Sequence, residues 1–172
     1  MTVRIQVAVQ GGGAKLCLLL AALEALQRIE QKEKLVTVTR LAGTSAGAIA
    51  AALYAGDVPL DGVRRELKTR WKELQKHARK PSLGLFGWSA AKSDPMVSQD
   101  WVRDLLNVLF NRDRQQPLVE FGQLKRPLTI VATDITNTQA VYYEHPKTNI
   151  VNALLDSTAI PFYFRGPAKG KN

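Results

Sequence analysis

The apolar and polar positions of the first sixty residues predict two strands, each followed by a helix. Residues 5–9 form a short apolar and β-branched run that predicts a buried strand, and three glycines come directly after it. Leucines at helical spacing in residues 14–30 predict a helix. Residues 36–42 predict a second strand, and the small residues 46–55 predict a helix that ends at Gly56. This alternation is typical of an α/β protein with a parallel sheet.

The pattern after residue 60 predicts further helices and two more strands. Asp61 can cap a helix that runs to about residue 78, and Ser98 can begin another. Residues 128–133 and 140–143 predict strands, and residues 148–157 predict a last helix that Pro161 stops. Residues 81–95 predict a loop that exposes four apolar side chains: Leu83, Leu85, Phe86 and Trp88. With no linker and no repeat, residues 1–172 are expected to form one three-layer α/β domain, a largely parallel central sheet flanked by helices.

A candidate nucleophile stands between the second predicted strand and the helix after it. The sequence there is Gly43-Thr44-Ser45-Ala46-Gly47, a Gly-x-Ser-x-Gly pattern. Between a strand and a helix, this pattern predicts a nucleophile elbow, a tight turn that exposes the serine hydroxyl. The glycines allow the turn, and the N-terminus of the following helix favours a nearby oxyanion. An ordinary strand-to-helix turn, with glycines for packing, is the alternative interpretation.

The triple glycine Gly11-Gly12-Gly13 is the candidate partner of that serine. It too follows a strand and begins a helix, and parallel strands bring such turns to one edge of the sheet, where ligands bind. Backbone N–H groups of a glycine loop can stabilise an oxyanion without obstruction by side chains. Nucleotide binding is the competing interpretation. It is disfavoured because Leu16 occupies the last position of a Gly-x-Gly-x-x-Gly fingerprint, and no Ser or Thr follows Lys15 as a Walker motif requires.

The general base that would activate Ser45 is harder to identify. A serine triad needs a histidine, and the chain has His77 and His145. His77 lies inside the predicted basic helix. His145 follows a strand and precedes Pro146, so it is a conceivable base, although a place in a surface loop is the favoured interpretation. A carboxylate held close to Ser45 is the other way to activate the hydroxyl.

Several segments resemble the patatin-like phospholipases, a family that uses a Ser–Asp dyad. Residues 11–15 are similar to the family's anion loop, with Lys15 as its basic residue, and residues 43–47 are similar to its elbow at all five positions. Residues 132–134 resemble the end of a core strand, and residues 156–164 resemble the segment that leads to the family's final motif. Leu16 departs from the family's usual glycine, but the three glycines before Lys15 remain.

The resemblance implies a function and most of a catalytic site. It implies that Ser45 is the nucleophile and that Gly11, Gly12 and Gly13 form the oxyanion hole. It also implies phospholipids or related acyl-ester lipids as substrates, with no metal and no organic cofactor. We therefore expect a lipid acyl hydrolase of the phospholipase A type. A non-catalytic lipid-binding or regulatory module that lacks the dyad is the alternative.

The dyad aspartate of the family is the part that the sequence does not supply. In the family it belongs to an Asp-Gly-Gly or Asp-Gly-Ala motif shortly after Pro-x-x-Phe, and the sequence reaches Asn172 without it. The domain is therefore expected to be truncated before that motif. Asp61-Gly62 is interpreted as a helix cap and Asp134 as a structural residue, so no base is assigned.

Positive charge is concentrated in one segment. The net charge is +9, and residues 64–80 contribute +6 of it. Against Glu66 and Glu73, the segment contains eight cationic residues: Arg64, Arg65, Lys68, Arg70, Lys72, Lys76, Arg79 and Lys80. Such a patch suits an anionic partner: phospholipid headgroups, nucleic acid or an acidic protein. We expect a membrane surface and no nucleic acid, and a solvated helix face is the alternative.

The remaining features bear on the cellular compartment. The longest apolar run, residues 16–23, is far shorter than the roughly 20 residues of a membrane span. The N-terminus lacks a signal-peptide pattern, and the single cysteine, Cys17, excludes an internal disulfide. We therefore expect a cytoplasmic protein, with peripheral contact to a membrane through residues 64–80.

Overall fold

A computed structural model of the chain describes residues 2–70, 100–111, 115 and 117–159. Its strands and α-helices, in chain order, are β1 (Val3–Val9), α1 (Leu16–Arg28), β2 (Val36–Thr44), α2 (Ala46–Ala55), α3 (Leu60–Thr69), α4 (Asp100–Asn111), β3 (Leu128–Asp134), β4 (Gln139–Tyr143) and α5 (Ile150–Thr158). The predicted course of the third helix beyond residue 70, the apolar loop 81–95 and the helix start at Ser98 lie outside the described residues. Within them, no helix combines the length and the apolar character needed to cross a membrane.

The four strands form one mixed sheet in the order β1-β2-β3-β4. β1 pairs with β2 and β2 with β3 in parallel, whereas β3 and β4 form an antiparallel pair. Val9 lies opposite Gly43 and Thr44 lies opposite Val131, so the carboxyl ends of the three parallel strands share one edge. The predicted α/β class, with a largely parallel sheet flanked by helices, is thereby confirmed.

The prediction of a buried first strand is wrong in one respect, because β1 lies at an edge of the sheet that the described strands form. Ile5 and Val7 are only partly buried, and Val9 is the one buried residue of the strand. The residues between them, among them Gln6, are exposed. A strand with one covered face and one open face shows this alternation.

Helix α2 lies at the centre of the core. All ten of its residues are buried, and Ala48, Ala50, Ala51 and Ala52 are completely inaccessible. The helix packs against β2 on one side and contacts α1 and α5 on others. A helix that is apolar all round is buried on all sides. Because Ser45 immediately precedes α2, the core fixes the position of that residue.

Helix α3 packs against α1, and Val63 and Leu67 on its apolar side are buried. The beginning of the helix differs from the prediction. Asp61 is not the cap, because the helix has already begun one residue earlier and Asp61 lies in its first turn. There the carboxylate pairs with the guanidinium of Arg65 at 2.8 Å.

A polar network ties the far end of α2 to two other segments. The Glu30 carboxylate accepts hydrogen bonds from the Tyr54 hydroxyl (2.6 Å), the Arg126 guanidinium (2.9 Å) and the backbone N–H of Val38 (2.8 Å). The Arg126 guanidinium also lies over the Tyr54 ring, 5.1 Å from its centre. Burial and the hydrogen bond to Glu30 raise the pKa of the Tyr54 hydroxyl, which therefore stays protonated as the donor. The network holds the end of α2 opposite to Ser45.

Candidate active site

Ser45 occupies the turn between β2 and α2 in an unusual backbone conformation. Its φ is 53° and its ψ is −127°, whereas nearly all residues other than glycine have a negative φ. Such a conformation costs on the order of 1–3 kcal/mol and persists only where the surrounding structure imposes it. The order of strand, strained serine and helix is the geometry of a nucleophile elbow.

Two glycines explain how this tight turn is possible. A Cβ on Gly43 would lie 2.6 Å from the carbonyl oxygen of Gly47 and 2.7 Å from the backbone of Ala48. A Cβ on Gly47 would lie 2.7 Å from the carbonyl carbon of Val9. No side chain fits at either position. The glycines therefore let α2 approach both the end of β2 and the end of β1.

The glycine loop after β1 lies directly beside Ser45. A Cβ on Gly11 would lie 3.1 Å from the Cβ of Ser45 and 3.2 Å from the carbonyl oxygen of Thr44. Because Gly11 has no side chain, its backbone stands next to the serine without obstruction. The structure thus brings together the two turns that the sequence places after the first and second strands.

The N–H groups of this loop are not used by secondary structure. Among the described residues, no backbone hydrogen bond is donated by Gly11, Gly12 or Gly13. The loop is instead closed by the N–H of Lys15, which donates to the carbonyl oxygen of Gly12 at 2.5 Å in a short 3-10 turn, Gly13–Lys15. Unpaired amides at the start of a helical segment attract anions. The loop can therefore accept negative charge that develops near Ser45.

The three glycines differ in what surrounds them. Only Gly11 is next to the elbow. A Cβ on Gly12 would meet the side chain of Lys15, with the nearest atom, Cδ, at 3.3 Å, and a Cβ on Gly13 would meet nothing within 4 Å. The Lys15 residue itself is exposed.

Asp134 ends β3 at the same edge of the sheet, but its carboxylate is occupied by its own turn. It accepts hydrogen bonds from the backbone N–H of Thr136 (2.9 Å), the backbone N–H of Asn137 (3.1 Å) and the side-chain amide of Asn137 (2.7 Å). These bonds, above all the one from the Asn137 side chain, hold the pKa of the Asp134 carboxyl below its usual value. A general base works best with a pKa near the operating pH. The structure therefore supports the interpretation of Asp134 as a structural residue.

His145 lies towards the other end of the strands. Tyr143, the last residue of β4, pairs with Ile130 in the first half of β3, and His145 follows beyond that point. Its imidazole Nδ1 accepts the backbone N–H of Lys147 at 3.3 Å, and the residue is exposed. The structure supports the surface-loop interpretation of His145. His77 lies outside the described residues.

The structure adds a residue that the sequence analysis did not identify. The Ser157 hydroxyl, near the end of α5, accepts the backbone N–H of Ser45 at 2.8 Å and donates to the carbonyl oxygen of Val131 at 2.6 Å. The adjacent Asp156 faces β4, where it accepts the Tyr143 hydroxyl at 2.8 Å. Burial and this bond raise the pKa of Tyr143 to about 12. The only signal in the sequence was the place of Ser157 within residues 156–164, which resemble the family.

The fold and the turn at Ser45 together define an α/β protein with a serine elbow at the edge of a largely parallel sheet. A sequence profile of the patatin-like phospholipase family matches residues 7–170, and the chain therefore belongs to that family. Its members are generally lipid acyl hydrolases. No curated protein sequence matches the chain.

Two solved structures share the fold. One is ExoU of Pseudomonas aeruginosa, in its heterodimeric complex with SpcU from the type III secretion system, with a TM-score of 0.55 and 17% identity over 93% of this chain. The other is VipD from Legionella pneumophila, with a TM-score of 0.53 and 16% identity over 98% of this chain. At these identities the likeness concerns the fold alone. The chain spans only 37% and 44% of the length of those two proteins.

Proposed function

We propose that the chain carries the nucleophile and the oxyanion hole of a lipid acyl hydrolase of the phospholipase A type. Ser45 is the nucleophile, and the N–H groups of Gly11, Gly12 and Gly13 form the oxyanion hole. The contact between Gly11 and Ser45 carries the proposal, because it places the backbone of a loop with unpaired amides beside a strained serine. Membership of the patatin-like family supports a lipid ester as the substrate.

The proposed reaction has two steps, which are acylation of Ser45 and hydrolysis of the acyl-serine. The Ser45 Oγ attacks the acyl carbonyl carbon while its proton passes to the base, and the glycine amides stabilise the resulting oxyanion. The tetrahedral species collapses to an acyl-serine, and the alcohol leaves with the proton that the base returns. Water then attacks the acyl-serine with help from the same base. The fatty acid leaves, and the proton returns to the Ser45 oxygen.

The base is the missing part of this proposal. None of the described side chains forms a hydrogen bond with the Ser45 hydroxyl, and Asp134 and His145 are engaged elsewhere. We assign the base to the family's aspartate in an Asp-Gly-Gly or Asp-Gly-Ala motif, which residues 1–172 do not contain. Activity tests therefore belong on the full-length protein.

A fluorophosphonate probe gives a direct test of the proposed nucleophile. The probe forms a covalent adduct with an activated serine, and the oxyanion donors stabilise that adduct. We expect the native full-length protein to bind one equivalent, which mass spectrometry of the digested protein locates at Ser45. Heat-denatured protein, the control, is expected to stay unlabelled because the amides no longer converge on the serine.

Two other outcomes of the labelling experiment would contradict the proposal. An adduct at another serine would show that the nucleophile is misassigned. A folded protein that resists labelling, yet binds lipid vesicles, would favour a non-catalytic lipid-binding module. That second function is supported by the lack of a base next to Ser45 among the described residues.

The basic segment is proposed to bring this site to an anionic membrane. Arg64, Arg65 and Lys68 line a groove of about 1010 Å³ between α1 and α3, with Arg28 and Lys32 on its other side. Part of this charge is already neutralised within the protein. Three arginines of the segment pair with neighbouring carboxylates: Arg64 with Glu24 (2.6 Å), Arg65 with Asp61 (2.8 Å) and Arg70 with Glu66 (2.5 Å).

This pairing decides which variants test membrane binding. Reversing the charge of Arg64 would break its ion pair with Glu24, so any loss of binding would be confounded with loss of stability. Lys68 has no acidic partner in the described part of the chain, which makes Lys68→Glu, combined with Lys72→Glu, the better variant. Lys125→Glu combined with Lys147→Glu is a matched control, because both lysines are exposed and lie outside residues 64–80.

We expect the Lys68→Glu, Lys72→Glu variant to bind phosphatidylserine-containing vesicles at least about tenfold more weakly, since each cation near an anionic surface contributes about 1 kcal/mol. Binding of the unaltered protein should also weaken as salt rises, because exposed charges are screened. Sedimentation with vesicles measures both effects. Equal binding to neutral and anionic vesicles, or an equal loss in Lys125→Glu, Lys147→Glu, would contradict the membrane proposal and leave the assignment of Ser45 untouched.

A further inference from the structure

The hydroxyl of Ser157 connects three separate parts of the candidate site. It accepts the backbone N–H of Ser45 at 2.8 Å and donates to the carbonyl oxygen of Val131 at 2.6 Å. Val131 belongs to β3 and lies opposite Thr44, the last residue of β2. One side chain from α5 therefore ties the elbow to the neighbouring strand, across a sequence separation of 112 residues.

The conformation of Ser45 explains why its N–H needs such a partner. Ser45 follows the last residue of β2 and precedes the first residue of α2, so its N–H belongs to neither regular ladder. The first N–H groups of a helix have no partner within the helix. With φ at 53°, the peptide before Ser45 is turned away from the conformation that would continue β2. The Ser157 oxygen occupies the position in which this N–H finds an acceptor.

Only a hydroxyl fits both contacts. The carbonyl oxygen of Val131 can only accept, so the Ser157 proton points to Val131 and a lone pair of its oxygen faces Ser45. Alanine provides neither bond, and a thiol is a weak donor and a weak acceptor. The direction of both bonds is thus determined by the backbone on either side.

We propose that Ser157 is a positioning residue for the candidate nucleophile, which holds the strained backbone of Ser45 so that its Oγ stays beside Gly11. This inference rests on the proposed function, because it concerns the reactivity of Ser45. Ser157 acts through the backbone and does not touch the acyl group. The N–H of Ser45 is engaged by Ser157 and is therefore not an oxyanion donor, in agreement with the proposed role of the glycine-loop amides.

The adjacent residue offers a matched control. Thr158 follows Ser157 in α5, and its hydroxyl donates to the carbonyl oxygen of Leu154 at 2.8 Å within the same helix. Thr158→Ala therefore removes a half-buried hydroxyl from the same helical turn without touching the elbow. A difference between Ser157→Ala and Thr158→Ala isolates the contact to Ser45.

Two measurements on the full-length protein test the inference. Hydrogen exchange of the Ser45 amide, followed by NMR, reports the contact itself, and kcat and KM for a short-chain ester report its consequence. We expect Ser157→Ala to speed exchange of the Ser45 amide at least about tenfold and to lower kcat between tenfold and a hundredfold, as for a misplaced reacting group. KM should change by less than about twofold, because the lipid site is intact. Ser157→Thr should restore most of kcat, and Thr158→Ala should match the unaltered protein.

Several results would overturn the inference. Unchanged exchange in Ser157→Ala would show that the contact does not exist in solution, and faster exchange with unchanged kcat would show that it does not position Ser45. An equal loss of kcat in Thr158→Ala would assign the effect to α5 as a whole. If Ser157→Ala does not fold, Ser157→Cys keeps the size of the side chain and weakens both bonds, and the same two measurements apply.

The kinetic results also distinguish failure of the proposed function from failure of the positioning role of Ser157. If Ser45→Ala retains turnover, Ser45 is not the nucleophile, whatever Ser157 does. If Ser45→Ala is inactive and Ser157→Ala has normal kcat, the assignment of Ser45 as the nucleophile is retained and the positioning role of Ser157 is excluded.

Discussion

Replacement of Ser45 by alanine is expected to lower kcat for acyl-ester hydrolysis by on the order of a millionfold, as when the nucleophile of a serine hydrolase is removed. The assay is release of fatty acid from phospholipid, or of the alcohol from an activated ester, by the full-length protein. The fold should survive. The hydrogen bonds of Ser45 to its surroundings use its backbone, whose carbonyl oxygen accepts the N–H groups of Ala48 and Ile49. A melting temperature close to that of the unaltered protein is the control, and substantial hydrolysis by the variant would exclude Ser45 as the nucleophile.

A second substitution at the same position separates chemistry from strain. Ser45→Gly also removes the hydroxyl, so it should be as inactive as Ser45→Ala. Glycine adopts a positive φ without a steric cost, so Ser45→Gly should be more stable than Ser45→Ala by about 1 kcal/mol. Equal stability of the two variants would mean that the backbone of Ser45 is not strained in solution.

The strained turn at Ser45 could be predicted from sequence because its determinants are local. A strand, two glycines around a serine and a run of alanines all fall within residues 36–55, and each acts through backbone conformation or close packing. The pattern requires glycine at positions 43 and 47 because a Cβ at either position would clash with neighbouring backbone. The approach of Gly11 to Ser45 could also be predicted, because parallel strands place their carboxyl ends at one edge.

The hydrogen bond between Ser157 and Ser45 could not be predicted in the same way. It joins residues far apart in sequence, and a serine near the end of a helix has no local pattern that distinguishes it from a solvent-exposed one. The network of Glu30, Tyr54 and Arg126 has the same character, because each residue alone is unremarkable in the sequence. Such contacts depend on how α2, α5 and the sheet pack, and the periodicity of each element does not determine this.

The prediction that β1 is a buried strand failed for a different reason. Apolar residues at positions 5, 7 and 9 predict a buried strand, whereas the polar Gln6 between the first two lies on an open face. Short runs do not distinguish an edge strand from a central one, because both carry apolar residues on the core side. Position within the sheet is a property of the topology, and here the order of strands leaves β1 at the end.

Substitutions in the glycine loop separate an effect on kcat from an effect on packing and stability. Gly11→Ala would place a methyl group 3.1 Å from the Cβ of Ser45 and 3.2 Å from the carbonyl oxygen of Thr44, so the loop must withdraw by a few tenths of an ångström. Donors aimed at an oxyanion lose much of their effect when they are displaced. Loss of one such donor typically lowers kcat by about a hundredfold to a thousandfold. We therefore expect kcat of Gly11→Ala to fall about a hundredfold, with a change in unfolding free energy of about 1 kcal/mol.

Gly13→Ala is the matched control for Gly11→Ala. It makes the same chemical change in the same loop and keeps the proposed N–H donor of Gly13, while the added methyl group meets no other atom within 4 Å. The amide is therefore not displaced, and kcat should stay within a few-fold of the unaltered protein. Gly12→Ala should fall between them, because the side chain of Lys15, its nearest neighbour, can move aside. An equal effect at Gly11 and Gly13 would show that the contact between Gly11 and Ser45 is not the cause of the loss. Normal turnover in Gly11→Ala with a normal melting curve would show that the loop is structural. A graded loss of kcat from Gly13 to Gly11, without a parallel loss of stability, requires that the loop acts on the reaction at Ser45.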